Sequence, residues 1–238
     1  MKRFLISLIA SAAIVSPVYA ANLDSIDVLT QAEFRALSED LGSALSYKAV
    51  IPVEPLGVTG FDIGVEVTAT KIENRAAWER ATSGSVSDTV YVPKLHVHKG
   101  LPLGIDVGAF YSAIPDSNIE LWGFEARYAL IEGGTVSPAV GLRANYTKLS
   151  GVDQLDLDTK GIEIAISKGF LNITPYAGVG YVVTTSTPKG TSSLSEEEFG
   201  LTKYFFGSNF NFAVLNIDIE VDRVGDVTSY GLKLGWRL

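Results

Sequence analysis

The strongest constraint on this chain is a period of two. In GFDIGVEVTAT, Phe61, Ile63, Val65, Val67 and Ala69 alternate with Asp62, Gly64, Glu66, Thr68 and Thr70. LNIDIEVD sets Leu215, Ile217, Ile219 and Val221 against Asn216, Asp218, Glu220 and Asp222. KGIEIAISK and AVGLRANYT repeat the pattern. Side chains of an extended strand point alternately to opposite faces, so each segment has one apolar and one polar side. Beyond the first 20 residues, no apolar run approaches the about 20 residues a spanning helix needs. A chain of this kind meets lipid through strands or not at all.

Eleven candidate strands follow: about 44–52, 59–72, 89–99, 104–113, 119–130, 137–148, 158–168, 173–185, 201–212, 215–223 and 228–238. Each is close to the about 9–11 residues that cross a bilayer at a tilt. Tight turns at 100–103, 170–172 and 213–214 alternate with longer polar loops at 73–88, 149–157 and 186–200. The connections at 114–118 and 224–227, on the long-loop side, are short. One helix is expected over 31–41: Thr30 and Glu33 have capping-box spacing, Phe34, Leu37 and Leu41 share a face, and Gly42 is placed to stop it.

A soluble sandwich also alternates, but there the apolar faces meet in a shared core. In a lipid-embedded barrel they point outward and the polar faces line an interior. Two features favour the barrel. The outward rows carry charge only near strand ends, as at Lys71 and Lys168, and aromatic residues stand near those ends at Tyr91, Tyr128, Tyr146 and Trp236. The fold expected is all-β, a closed antiparallel transmembrane β-barrel of about 10–12 strands with a short N-terminal helix. Single-chain bacterial barrels have even strand numbers, so eleven becomes ten if 44–52 is not a wall strand, or twelve if one was missed.

The last nine residues, YGLKLGWRL, place Tyr230, Leu232, Leu234, Trp236 and Leu238 on one face up to the terminus. This resembles the C-terminal assembly signal of Gram-negative outer-membrane β-barrel proteins, departing from it in ending on Leu rather than Phe or Trp. The resemblance implies insertion by the barrel-assembly machinery, with outer-membrane lipid and lipopolysaccharide as surroundings.

The other end is consistent with export. MKRFLISLIASAAIVSPVYA has Lys2 and Arg3, an apolar stretch from Phe4 to Val15, Pro17, and small residues before a cut after Ala20, as in a secretory signal peptide. The organisation expected is a signal peptide over 1–20, a helical segment over 21–43 and a barrel over 44–238. Without Lys2 and Arg3, 17 Lys and Arg remain against 27 Asp and Glu, a net charge of about −10 that argues against nucleic acid as a partner. The absence of cysteine excludes disulfides and thiolate zinc sites.

Strand parity assigns Asp62, Glu66, Asp106, Glu125, Glu163, Asp218, Glu220 and Asp222 to the interior. Lys94, Arg127, Arg143, Lys233 and Arg237 oppose them there. Such a row forms either an ion-paired lining or a mildly cation-preferring pore. Interior glycines (Gly64, Gly108, Gly141, Gly161, Gly178, Gly231, Gly235) leave room for water, a ligand or the 31–41 helix as a plug. His96 and His98 share a face near the short-turn rim, where a solvated role is expected; two histidines without a third ligand do not make a metal site. Asp153, Asp156 and Asp158 are read as a solvated acidic loop. Barrel enzymes such as the outer-membrane phospholipase, the lipid A deacylases and the omptin proteases set His beside Ser or Asp; no matching stretch occurs here, so no catalysis, cofactor or metal is expected. The leading functional expectation is a narrow pore or transporter for small solutes of unnamed type. Alternatives are a sealed structural or adhesive barrel acting through its loops, a plugged transporter of apolar molecules, and a soluble secreted β-protein.

Overall fold

The computed structural model describes residues 22–114, 119–191 and 193–238. The expected signal peptide lies outside the described residues. Ten strands form a closed antiparallel barrel: β1 (Phe61–Lys71), β2 (Thr89–Gly100), β3 (Ile105–Ala113), β4 (Glu120–Ile131), β5 (Ala139–Ser150), β6 (Leu155–Ser167), β7 (Ile173–Pro188), β8 (Glu197–Phe212), β9 (Leu215–Val224) and β10 (Val227–Arg237). Each strand pairs with its neighbours in sequence, and β1 closes on β10 with Asp62 opposite Arg237 and Thr70 opposite Ser229. The terminal Leu238 extends this seam, exchanging backbone hydrogen bonds with Phe61 at 2.9 and 3.0 Å. Closure leaves the sheet no free edge, which lipid could not satisfy. The even number brings Phe61 and Arg237 to the same rim, that of the short turns.

Of the eleven candidates, 44–52 is not a strand. Its first two residues complete a helix, α1 (Gln31–Leu45), and residues 46–53 run as an unpaired strap through the barrel interior. Residues 44–53 are all buried, Ser46 and Lys48 included, so they have no solvent-facing side. In isolation such a stretch reads like a buried strand. The strap's backbone is satisfied by wall side chains: Lys203 Nζ donates to the Tyr47 carbonyl at 2.7 Å, and Arg143 Nη2 to that of Ile51 at 2.6 Å. Arg127 Nη1 donates to the carbonyl of Pro52 at 3.0 Å. Val50 takes φ 45°, a left-handed conformation costly for a β-branched residue, within this gripped segment.

α1 starts as its capping box predicts: Thr30 Oγ1 accepts from the Glu33 amide at 3.3 Å and Glu33 accepts from the Thr30 amide at 2.8 Å. It does not stop at Gly42 but continues to Leu45. Gly42 serves close approach instead, since a Cβ there would lie 2.4 Å from Thr184 Oγ1 of β7. The 73–88 loop holds a second helix that its polar composition concealed, α2 (Arg75–Ala81), which buries Ala77, Trp78 and Ala81. Asp40 of α1 holds it in place, accepting from the Asn74 amide at 2.9 Å and from Trp78 Nε1 at 3.0 Å. β6 begins early enough to take Asp156 and Asp158 out of the expected acidic loop, and both pair with lysines there.

α1, α2 and a short 3-10 turn at Ile26–Val28 lie at the long-loop end. There Phe34, Leu37, Leu41 and Leu45 pack with Val92, Leu121, Leu149 and Leu157 of the wall. If α1 depends on this fit, Gly42→Ala will press on Thr184 and destabilise the protein by about 1–3 kcal/mol. The loss is read as a lower midpoint of the heat-induced gel shift and faster proteolysis of α1.

Candidate functional site

The wall's outer face is apolar over most of its height, with Lys160 and Arg223 exposed toward the long-loop end. Ile63, Val65 and Val67 of β1, Ile162, Ile164 and Ile166 of β6, and Tyr230, Leu232, Leu234 and Trp236 of β10 are all exposed. The inner face inverts this composition. All the carboxylates and cations assigned to the interior by strand parity are buried there except Arg237, which is half-buried at the short-turn rim.

They are matched to one another at short range. Asp62 meets Lys233 Nζ at 3.0 Å, Arg237 Nε at 2.9 Å and Asn216 Nδ2 at 3.0 Å, tying β1 to β10 and β9. Lys233 also faces Asp218 at 3.3 Å. Glu66 holds Lys94 at 2.8 Å, and Arg127 joins Asp106 at 2.9 Å to Glu125 at 3.5 Å. Glu163 holds Lys203 at 2.7 Å and Arg143 at 3.6 Å. Asp222 faces Lys48 of the strap at 3.4 Å, and Glu220 is buried in the same row of β9. Burial pulls the Lys48 ammonium down to about 8, against the opposing pull of the Asp222 carboxylate.

Lys48, Lys203, His96 and His98 belong to this network without having been assigned to it. Lys203 lies on the inward parity of β8, and the two histidines share the parity of Lys94, so register was the available signal. The histidines are not at a solvated rim. Both are fully buried, His96 Nε2 is 2.8 Å from Glu66 and His98 Nε2 is 3.3 Å from Glu125. The His96 ring stacks on Phe110 at 5.4 Å. Among the described residues, no group of three or more His, Asp or Glu is arranged to hold a metal ion.

The interior glycines are occupied rather than open. A Cβ at Gly108 would lie 2.3 Å from the His98 ring, one at Gly178 2.2 Å from Phe205, and one at Gly141 2.6 Å from Val53 of the strap. Each is a socket for a large neighbouring side chain, which is why glycine stands there.

Closure, an apolar outer wall and a charged inner one define an outer-membrane type of β-barrel. No family model matches the chain. No curated protein matches it either. Solved structures that it resembles include the outer-membrane protease OmpT of Escherichia coli, at 8% identity over 75% of this chain and 96% of that one, with a TM-score of 0.40. The outer-membrane protein OprG of Pseudomonas aeruginosa matches at 9% identity over 79% and 99%, with a TM-score of 0.37. A loop-deletion mutant of the outer-membrane protein OmpT of Vibrio cholerae matches at 14% identity and a TM-score of 0.33; this chain covers 62% of itself and 54% of that protein's length. Likeness at this level speaks to no ligand or activity.

Removing one partner of a buried ion pair leaves the other charge without compensation, at a cost of about 3–5 kcal/mol. Asp62→Asn leaves Lys233 with Asp218 as its remaining carboxylate and takes the carboxylate from half-buried Arg237 at the β1–β10 seam. It is expected to lower stability by about 1–3 kcal/mol, less than the cost of a wholly uncompensated charge, measured by urea unfolding of the refolded barrel. Adding Lys233→Met should not recover the loss, because it takes the cation from buried Asp218.

Proposed function

We propose that this protein is an integral outer-membrane barrel whose lumen is closed by its own N-terminal segment, and that it works at its long-loop face rather than as a conduit. One observation carries the reading: the ionic side chains of the barrel's interior are almost wholly inaccessible. Lys48, Asp62, His96, His98, Asp218 and Lys233 are 0% exposed, and Glu66 and Lys94 are 2% and 5% exposed. A water-filled passage would wet these groups, as the pore expected from sequence requires. Instead they are spent on one another and on the strap. α1 stands above them as an apolar stopper at the long-loop end.

The location in a Gram-negative outer membrane, with lipopolysaccharide around the long-loop rim, is part of this proposal. It is supported by the outward row Tyr230, Leu232, Leu234 and Trp236, which sits on the closing strand where an assembly signal would be presented. Insertion by the barrel-assembly machinery belongs to the same proposal.

The refolded protein in a planar bilayer is expected to show no conductance steps at any voltage short of membrane breakdown. A variant lacking residues 22–53 should conduct, once its gel shift shows that the barrel has formed. Steps from the intact protein would return the pore reading to first place.

A further inference from the structure

Two cations meet on the outside of the closing seam. Strand register puts them there. Arg223 of β9 pairs with Thr228 of β10. One step beyond the Thr70–Ser229 pair, Lys71 of β1 comes level with Thr228 from the other side. Parity turns all three outward; Arg223 and Lys71 are exposed and Thr228 is half-buried. Neighbouring strands lie about 4.8 Å apart, so the two cations bracket Thr228 with their backbones about 10 Å apart. Side chains of that length can converge over the Thr228 hydroxyl. Both stand at the long-loop ends of their strands, Lys71 as the last residue of β1 and Arg223 as the next to last of β9. Arg223 is held toward that rim: Nε donates to the Gly225 carbonyl at 3.0 Å, and Nη2 meets Asp226 at 2.9 Å. Asp88, beside the Thr89 that pairs with Lys71, is taken by Arg75 at 2.6 Å. Two cations against Asp226 leave this row one positive charge in excess.

The next outward row toward the short turns is apolar. Register aligns Phe206, Val221 and Tyr230 across β8, β9 and β10. The two rings are exposed and stand on either side of the smaller Val221. The row after it is Ser208, Ile219 and Leu232, in which Ser208 puts a short side chain beneath Phe206. The result is a groove of about 340 Å³ on the outer wall, bordered by Phe206, Ser208, Ile219, Val221 and Tyr230. That is within the about 300–1,000 Å³ usual for ligand sites. The groove is continuous with the apolar face of the barrel, and the cations stand at its upper end.

Resting on the membrane reading above, we propose that this surface binds one phosphorylated lipid of the leaflet at the long-loop rim. The phosphate lies on Arg223 and Lys71, and one acyl chain runs down the groove between Phe206 and Tyr230. On that reading the lipid is lipopolysaccharide. Charge complementarity singles it out: a phosphate supplies the negative charge that the row lacks, and a guanidinium offers it paired N–H donors. A zwitterionic lipid brings a cation of its own against Lys71. The groove by itself accepts any hydrocarbon; the cations decide which lipid stays.

Native mass spectrometry of the refolded barrel in detergent, with diphosphorylated lipid A added, counts the lipid retained. One molecule should stay bound. Arg223→Gln with Lys71→Gln should weaken its retention about tenfold. Ser208→Phe, which fills the groove and leaves both cations in place, should do the same. Lys160→Gln removes an exposed outward cation on β6, three strands from β9, and should change nothing. Lipid A stripped of its phosphates should bind the intact protein as weakly as lipid A binds the double variant. The gel shift shows that each variant is folded. Retention that ignores the double variant or Ser208→Phe overturns the site. So does an equal loss with Lys160→Gln, which would mean diffuse attraction to charge. Phosphatidylglycerol held as tightly as lipid A overturns the assignment to lipopolysaccharide. Flotation separates the site from the membrane reading: a barrel that floats with phospholipid vesicles but keeps no lipid A loses the site alone, and one that stays in the aqueous fraction loses both.

Discussion

Three wall cations grip the backbone of one short segment, and the rest of the interior is arranged around that grip. Lys203, Arg143 and Arg127 each donate to a strap carbonyl, at Tyr47, Ile51 and Pro52. Each is also held by a wall carboxylate, Glu163 for the first two and Asp106 for the third. An unpaired peptide crossing a lumen has no ladder to satisfy its carbonyls, and leaving them bare would cost more than the hydrogen bonds return. Charged donors resolve this because hydrogen bonds to ionised groups are about twice as strong as neutral ones. The carboxylates are needed in turn, since cations buried without them would be prohibitive.

The vertical order of the barrel follows. Where the strap descends, the inner wall is ionic, because it has to supply those donors and balance them. Where α1 sits, the strap's role is taken by a helix that satisfies its own backbone, and the inner wall changes to Val92, Leu121, Leu149 and Leu157. Charge at that level would face only helix side chains. Asp40 marks the boundary: it is a buried carboxylate of the helix that faces the amides of Glu73 and Asn74 and the Trp78 indole rather than a cation. That one side chain fastens the long-loop helix to the stopper.

The wall was legible in sequence because it separates two solvents. Lipid outside and ions inside force strict alternation, so Ile63, Val65 and Val67 announce one face and Asp62 and Glu66 the other. Parity also resolves ten strands from twelve once 44–52 is removed. The strap was not legible, because alternation carries no information in a segment buried on every side; Tyr47, Lys48, Ala49, Val50 and Ile51 are all enclosed. Gly42 looked like a helix stop because a glycine that ends a helix and a glycine that touches Thr184 are the same letter. α2 escaped because seven residues with three apolar contacts fall below any periodic signal. Which carboxylate holds which cation depends on register between strands distant in sequence, as with Asp62 and Lys233, and on a strap that sequence does not place.

The packed interior and the closed wall draw on different groups. The seal consists of side chains, and it is complete wherever inward positions are matched. The wall is closed by backbone hydrogen bonds between neighbouring strands. Pro93 removes an N–H on the side facing β3 without disturbing the inward row, in which Lys94 still holds Glu66 at 2.8 Å. On the proposed reading, a polar solute coming from the loops would meet α1 and then a buried layer of ion pairs. Closure of the interior therefore depends on matched charges and closure of the wall on matched backbone groups, so the two can be perturbed separately.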